Sequence, residues 1–412
     1  MRRRPSGRVV AALVGLAVLV GACSTDDGGS AGGDTTSTAV GDIQVAPEGD
    51  AFYEPPDPLP PGQPGDVIWT EQLVTPDGMI GWRVLYHSQS VAGADIAVSG
   101  LVYAPDDESE ADAAADDERV VIAYAHGTTG LGDDCAPSQD PGAGSAELAA
   151  GYVQRGFVVT MTDYEGLGPP GVHPYVVGLS EARGVLDSVR AARNLTETRS
   201  GDQVIIGGHS QGGGAALVAG EIAPTYAPEL DVLGVVAGAP AAELRLVATA
   251  LANSPFFGYL AMAAAGFHAA YPDLPLELVL TPAAIAELDE IDDLCAGEIV
   301  GRFAGRPPET VIAADPGTTE PWASVLEENS PGVRPPGAPV FMFHGDADEQ
   351  IPVASSQLVL VRYCQGGAVP VERRVYPGES HVGVIAAAQA DVDAFIEARL
   401  AGDDAVSSCP VG

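Results

Sequence analysis

One serine of this sequence stands where it could act as a nucleophile. Residues 208–212 read Gly-His-Ser-Gln-Gly, the Gly-x-Ser-x-Gly pattern in which flanking glycines accommodate a serine on a sharp strand-to-helix turn. An apolar run of strand length precedes Ser210, and the small residues 212–217 that follow it are typical of a tightly packed helix. The same pattern recurs at 28–32 without such neighbours. The context therefore predicts Ser210, and not Ser30, as the nucleophile.

A base and an acid for such a serine occur later in the chain. A serine hydroxyl needs a base to take its proton and a carboxylate to hold that base in the right tautomer. His381 follows one predicted strand, Asp348 follows the strand before it, and the order serine, acid, histidine is the one that α/β-hydrolases use. The pattern Gly-x-x-Asp-x-x-Ile-Pro at 345–352 favours Asp348 as the acid. Asp346 remains an alternative acid. The alternative interpretation of His381 is an ordinary histidine in a surface loop.

The negative charge that develops on the substrate oxygen during acyl transfer needs two backbone N–H donors. One should be Gln211, which directly follows the nucleophile. The other should come from the glycine-rich turn 126–130 (His-Gly-Thr-Thr-Gly), where Thr128 is the candidate, with an ordinary loop as the alternative interpretation. No motif indicates a cofactor, and no two cysteines have the Cys-x-x-Cys spacing typical of zinc or redox sites. We therefore expect neither a cofactor nor a metal.

The elements that must position these residues are predicted by apolar runs of strand length. Five runs are hydrophobic enough to be buried on both faces, namely 119–125, 157–162, 203–207, 232–237 and 339–343. Stretches of helical length, such as 145–155 and 179–194, separate them. Before them, residues 67–104 alternate in short stretches with turn signals, which predicts two or three antiparallel strands. The expected fold class is α/β, an α/β-hydrolase fold with a mostly parallel central sheet flanked by helices.

The alternation of strands and helices is interrupted over residues 241–337, where helical periodicity continues without a convincing buried strand. We expect a mainly helical cap or lid insertion there, which divides the hydrolase core into a first part, 51–240, and a second part, 338–412. Within the cap, residues 255–271 carry no acidic or basic residue except His268. This segment is either an ordinary buried helix or an apolar lid over an acyl pocket.

The N-terminus indicates export. A basic start is followed by an uncharged run that is shorter than the ~20 residues of a membrane-spanning helix, so residues 1–22 are predicted to be a cleaved signal peptide. The residues before Cys23 resemble a bacterial lipobox, which implies a lipid on Cys23; an ordinary signal peptide with a chance cysteine is the alternative. Residues 23–50 contain almost nothing to bury and should form a flexible tether. The protein should be anchored to the outer face of the bacterial cell membrane through this lipid, or secreted.

The composition restricts the classes of possible binding partner and indicates the redox compartment. The sequence has 57 acidic and 19 basic residues and a net charge of −38, which disfavours nucleic acid as a partner and favours a well-hydrated surface over recognition of a cationic substrate. Of the five cysteines, Cys23 is assigned to the lipid. The other four suffice for two disulfides in an oxidising compartment, with three possible pairings. They are Cys135, Cys295, Cys364 and Cys409.

Motifs along nearly the whole mature chain resemble the secretory lipase family, the α/β-hydrolases similar to Candida antarctica lipase A. Besides the nucleophile turn and the acid loop, they are 51–56, 135–138, 163–166, Cys364, His381 and Cys409. The resemblance implies disulfides Cys135–Cys295 and Cys364–Cys409, a cap inserted before the strand that leads to the acid, and hydrolysis of acyl esters by a bacterial lipoprotein member of the family. His209, Gln211 and the cap depart from the fungal pattern, so the acyl chain length stays open.

Together these features predict an exported, lipid-anchored serine hydrolase of carboxylic esters, a lipase or esterase similar to triacylglycerol lipases that acts through an acyl-enzyme intermediate. Its partners would be an ester or lipid substrate and, through the lipid anchor, the membrane. Two alternatives stay open. One is a serine acyltransferase or peptidase that uses the same three residues, and the other is a non-catalytic lipoprotein that binds a ligand in a hydrolase-like cleft.

Overall fold

A ten-stranded sheet runs through the part of the chain that the structure describes. This computed structural model describes residues 44–410 except 107–117, 143, 253 and 368. The predicted signal peptide, Cys23 and most of the predicted tether therefore lie outside the described residues. The strands are β1 (Gln44–Val45), β2 (Val67–Gln72), β3 (Met79–Gln89), β4 (Asp95–Pro105), β5 (Arg119–Ala125), β6 (Val158–Thr162), β7 (Ser200–His209), β8 (Asp231–Gly238), β9 (Val340–Gly345) and β10 (Val371–Tyr376).

The order of the strands across the sheet is β1-β2-β3-β4-β6-β5-β7-β8-β9-β10. The six strands from β6 onward in this order run parallel to one another. Strands β2, β3, β4 and β6 pair in antiparallel fashion. The predicted α/β-hydrolase fold with a mostly parallel sheet is therefore confirmed. Because the carboxyl ends of parallel strands meet at one edge, the loops that follow β5, β7, β9 and β10 all lie at this edge.

Helices follow most of the strands. The α-helices of the described residues are α1 (Ser145–Val153), α2 (Gly178–Arg193), α3 (Gln211–Tyr226), α4 (Leu244–Leu251), α5 (Gly258–Ala270), α6 (Pro282–Ile285), α7 (Leu288–Ile291), α8 (Ala296–Phe303), α9 (Trp322–Glu328), α10 (Ala354–Gly366) and α11 (Gly383–Ala401). Short 3-10 helices lie at Gly49–Tyr53, Asp133–Cys135, Pro137–Gln139, Thr196–Thr198, Leu276–Leu278 and Pro308–Thr310. None of the described helices combines the length and the apolar character that crossing a membrane requires.

Alternate residues of the central strands pack against helices on opposite faces of the sheet. In β7, Val204 and Ile206 belong to a hydrophobic cluster with residues of α2 and α3, whereas Ile205 packs in a cluster that contains residues of α11. Every residue of β6 and of β9 is buried. Burial of one large aliphatic side chain contributes about 1.5–3 kcal/mol. Continuous hydrophobic runs therefore become strands with helices on both sides.

Between β8 and β9, the described residues form helices α4 to α9 and no strand. Their buried side chains, such as Phe267 and Trp322, belong to a hydrophobic cluster that is separate from the clusters of the sheet. This cluster also contains Leu131, Tyr175 and Ile351, which lie in loops outside the helical segment. The helices between β8 and β9 therefore pack against loops that follow strands of the sheet.

Two disulfides are present in the described residues, with the pairings that the family resemblance implies. Cys135 is bonded to Cys295 and Cys364 to Cys409, with Cα–Cα distances of 5.5 and 5.4 Å. The first disulfide joins the loop after β5 to the start of α8. Beside it, the N–H of Ala296 donates to the carbonyl of Thr129 at 2.7 Å. The helical segment is thus fastened next to the turn that contains Thr128.

Candidate active site

Ser210 lies on a sharp turn between β7 and α3. Its φ of 61° falls in the left-handed region that non-glycine residues rarely adopt. The flanking glycines are required by close approaches of the backbone: a Cβ on Gly208 would lie 2.2 Å from the Gly212 carbonyl oxygen, and one on Gly212 would lie 2.0 Å from that of Ala125. The Gly-x-Ser-x-Gly motif thus lifts the Ser210 side chain out of the sheet at its carboxyl edge.

The structure brings Ser210, His381 and Asp348 together. The Ser210 Oγ lies 2.9 Å from His381 Nε2, and His381 Nδ1 lies 2.7 Å from Asp348 Oδ2. Asp348 follows β9 and His381 follows β10, so the loops of neighbouring parallel strands supply both residues. In this arrangement the Nδ1–H of His381 donates to the carboxylate, and Nε2 is left to accept the serine proton.

The side chain of Asp348 has no solvent exposure and is surrounded by hydrogen-bond donors. Its Oδ1 accepts the backbone N–H groups of Gln350 and Ile351, each at 2.8 Å, and its Oδ2 lies 3.1 Å from Nε2 of His344. Burial alone would raise the pKa of Asp348, but the hydrogen bonds from His344 and His381 outweigh it and hold the pKa well below its usual range. The carboxyl group is therefore ionised wherever a neutral His381 could act as a base.

The alternative acid, Asp346, does not reach the histidine. Its side chain is exposed, and its Oδ1 accepts the backbone N–H of Gly378 at 2.6 Å. Two residues further along, the chain turns inward and places Asp348 against His381. In this geometry Asp348, and not Asp346, lies where it can orient His381, although the spacing in the sequence leaves both open.

Two more histidines contact this group, and the sequence does not single them out. His344 is fully buried and touches Asp348, as described above. His209, just before the nucleophile, places Nε2 2.8 Å from the His381 carbonyl oxygen, and the two rings lie 4.7 Å apart. Burial lowers the pKa of His209 to about 4, so its ring is neutral and its N–H donates to that carbonyl. The only sequence signal for either residue is its position at the end of a strand beside a predicted site residue.

The candidate oxyanion donors lie beside Ser210. Gln211 is the first residue of α3 and is buried. The glycine-rich turn after β5 passes close to the nucleophile, since a Cβ on Gly127 would lie 3.9 Å from the Ser210 Cβ. Thr128 follows in this turn, and its Oγ1 lies 2.9 Å from the Tyr175 hydroxyl. Thr128 and Ser210 line the same cleft.

Cavities of different character meet at Ser210. An open cleft of about 580 Å³ is lined by the glycine-rich turn, Ser210 and His381. A mostly apolar cavity of about 50 Å³ is lined by Ser210, Val176 and residues of α4 and α5. A third cavity of about 30 Å³ among the helices shares four wall residues with the second, namely Ala248, Leu260, Ala263 and Leu326. Within the described residues, no group of three or more His, Cys, Asp or Glu side chains is arranged to hold a metal ion.

The chain is similar to known lipases along most of its length. A sequence model described as secretory lipase matches residues 146–408, more than half of the chain. The secreted triacylglycerol lipase LIP4 of Malassezia globosa is 26% identical, with 89% of this chain and 84% of that protein covered. Lipase 6 of Candida albicans is 25% identical, with 88% and 83% covered.

Solved structures share the fold. The crystal structure of Candida antarctica lipase A superposes with a TM-score of 0.72 at 21% identity and covers 84% of each chain. The rice cell wall degrading esterase LipA of Xanthomonas oryzae gives a TM-score of 0.67 at 19% identity, covering 82% of this chain and 98% of that one. At this level of identity, the two structures establish only the shared fold. The match to the secretory lipase model establishes the family. The chain therefore belongs to the secretory lipase family and is a carboxylic-ester hydrolase.

Proposed function

We propose that this protein hydrolyses esters through a covalent acyl-enzyme on Ser210, with His381 as the general base and Asp348 as the acid that orients it. The observation that carries the proposal is the continuous line of hydrogen bonds from the Ser210 Oγ through His381 to Asp348, at 2.9 and 2.7 Å. These lengths lie within the range that proton transfer between positioned groups requires.

The reaction then takes two steps. His381 Nε2 takes the Ser210 proton while Oγ attacks the ester carbonyl carbon, and the oxygen that becomes negative accepts the backbone N–H groups of Thr128 and Gln211. His381 next gives the proton to the leaving alcohol, and the acyl group stays on Oγ. Water, deprotonated by His381, then attacks the acyl carbon. The bond between that carbon and Oγ breaks, His381 returns the proton to Ser210 Oγ, and the carboxylic acid leaves. Asp348 stays ionised throughout and stabilises the imidazolium.

We assign the small apolar cavity to the acyl chain and the open cleft to the alcohol. The apolar cavity of about 50 Å³ begins at Ser210 and is lined by aliphatic side chains of α4 and α5, which suits a hydrocarbon. As the structure stands, this small cavity suits a short acyl chain, and longer chains require the helices around Ala263 to part. Similarity to a secreted triacylglycerol lipase supports glycerol esters as the substrate class.

Hydrolysis of p-nitrophenyl esters of increasing chain length tests this assignment. We expect measurable turnover with the butyrate ester, a fall in kcat/KM toward the palmitate ester, and no turnover in Ser210→Ala. A preference for palmitate would overturn the assignment of the small cavity, and turnover by Ser210→Ala would overturn the nucleophile.

The rival activities are tested with the same protein. An amide analogue of the best ester and an added alcohol acceptor distinguish a peptidase and an acyltransferase from a hydrolase. Amide cleavage at a comparable rate, or transfer to the alcohol in preference to water, would replace ester hydrolysis as the main activity.

We further propose export with removal of residues 1–22, a lipid on Cys23, a tether over 23–50 whose last residues join the fold at β1, and a cap of residues 241–337 between the core segments 51–240 and 338–412. The lipobox-like sequence before Cys23 and the secreted character of named relatives support the first part. The helices between β8 and β9 support the cap. Replacement of Cys23 by Ser should move the protein from the membrane fraction to the soluble fraction; retention in the membrane would contradict the anchor.

A further inference from the structure

One loop touches the side chains of both candidate oxyanion donors. We call residues 173–181, which comprise the end of the loop before α2 and the first turn of α2, the 173–181 segment. The Tyr175 hydroxyl lies 2.9 Å from Thr128 Oγ1. The side-chain nitrogen of Gln211 lies 2.7 Å from Glu181 Oε1 and 2.9 Å from His173 Nε2. Thr128 and Gln211 are 83 positions apart in the chain, and this segment holds both.

The hydrogen bonds around Gln211 form a consistent set. The Nδ1 of His173 lies 2.8 Å from the Glu165 carbonyl oxygen, so Nδ1 carries the ring hydrogen and Nε2 accepts. Burial lowers the pKa of His173 to about 3, which keeps the ring neutral. The two hydrogens of the Gln211 amide nitrogen thus have two acceptors, His173 Nε2 and Glu181 Oε1.

Glu181 also fixes the backbone of the segment. Its Oε1 accepts the N–H of Val176 at 2.9 Å, and Val176 has a φ of 54°, which is strained for a β-branched residue. Burial raises the pKa of Glu181 to about 8, so the side chain is neutral below that pH. Strained backbone and buried polar groups cost free energy and persist where the surroundings hold them in place. Here the strained Val176 and the buried Glu181 are linked to Gln211, the residue directly after the nucleophile.

The segment also faces the reaction. Thr128, Tyr175, Val176 and Ser210 line the same apolar cavity. Thr128 stands in a glycine-rich turn, so the direction of its backbone N–H depends on what its side chain is tied to. Gln211 starts a helix, and its amide side chain ties that helix start to the same segment.

We propose that Tyr175 and Glu181 are positioning residues, which set the separation and direction of the Thr128 and Gln211 N–H groups so that both point at one oxyanion. The inference rests on the proposed acyl-enzyme mechanism. In this role each acts through the donor residue that it contacts, Tyr175 through Thr128 and Glu181 through Gln211. The 173–181 segment thereby works as a clamp on the oxyanion hole.

The test uses the full chain and compares Tyr175→Phe with Tyr86→Phe. Both substitutions delete a buried hydroxyl, but the Tyr86 hydroxyl bonds Thr162 in the core at 2.7 Å. Loss of an oxyanion donor costs about 10²–10³-fold in kcat, so misdirection of one should cost about tenfold. We expect Tyr175→Phe to lose that factor in kcat on p-nitrophenyl butyrate with little change in KM, and Tyr86→Phe to keep kcat. Affinity for a trifluoromethyl ketone, which mimics the tetrahedral intermediate, should fall by the same factor as kcat/KM.

Glu181 supplies the second arm. Glu181→Leu removes the acceptor, whereas Glu181→Gln keeps a carbonyl oxygen for Val176 and Gln211 and should recover most of the loss. If the Leu variant does not fold, Tyr175→Phe decides alone. Unchanged kcat and analogue affinity in Tyr175→Phe, with an active wild type, would overturn the clamp and leave the acyl-enzyme mechanism standing. An inactive wild type would overturn the mechanism and the clamp with it.

Discussion

Replacement of Asp348 by Asn is the substitution whose outcome the geometry fixes most closely. The two carboxylate oxygens have different partners. Oδ1 accepts backbone N–H groups from Gln350 and Ile351, whereas Oδ2 faces the imidazoles of His381 and His344. An amide must put its oxygen on the first side, because its NH2 group would otherwise point at two N–H donors. The NH2 group of the substituted side chain would therefore face His381.

That orientation forces the wrong tautomer on the base. The amide donates to His381 Nδ1, so the ring hydrogen moves to Nε2, and Nε2 can no longer accept the Ser210 proton. A triad held in the wrong tautomer loses about 10⁴-fold in kcat, as seen for the equivalent Asp-to-Asn change in a serine protease. This factor corresponds to roughly 5 kcal/mol of barrier.

The assay is p-nitrophenyl butyrate hydrolysis, with Asp346→Asn as the matched control. Asp346 is exposed and bonds Gly378, so this second variant should keep wild-type kcat. Melting temperatures of both variants, measured in parallel, show whether each is folded. A folded Asp348→Asn with a tenth or more of wild-type activity, or an equal loss in Asp346→Asn, would refute this reasoning.

Two further predictions concern stability and substrate choice. Burial raises the pKa of Glu221 from 4.5 to about 7, so its contribution to folding is full below pH 4.5 and is lost as the pH rises through 7. The free energy of unfolding in urea, measured for wild type and for Glu221→Gln, gives a difference that should therefore fall by on the order of 3 kcal/mol between pH 4.5 and 8. A difference that rises with pH would contradict the assignment. Ala263 lies on the wall that the second and third cavities share, and Ala263→Leu should lower kcat/KM for the octanoate ester about tenfold relative to the acetate ester. An equal effect on both esters would place the acyl chain elsewhere.

The fold could be predicted because its signals are local. The hydrophobic runs that became β5 to β9 are continuous, and only strands buried on both faces need such runs. The nucleophile turn could be predicted equally well, because the glycines around Ser210 are required by close contacts within the turn and with the adjacent strand. Family resemblance supplied the cysteine pairings, since spacing alone left three possibilities.

The contacts around the site could not be predicted in the same way, because they join residues that are distant in the sequence. The choice between Asp346 and Asp348 depends on where the chain turns inward, which a two-residue difference in spacing does not encode. The clamp depends on Tyr175 and Glu181, which no motif marks. Each of these residues is an ordinary loop or helix residue until the fold places it behind an oxyanion donor.

The measurement that tests the central claim most directly is the reaction of the purified protein with a fluorophosphonate, followed by mass spectrometry of the labelled peptide. We predict one adduct, on Ser210, with no labelling of Ser210→Ala and an unchanged melting temperature in that variant. Failure of the folded wild type to react would instead favour a ligand-binding protein with a hydrolase-like cleft. Labelling that persists in Ser210→Ala would place the nucleophile elsewhere.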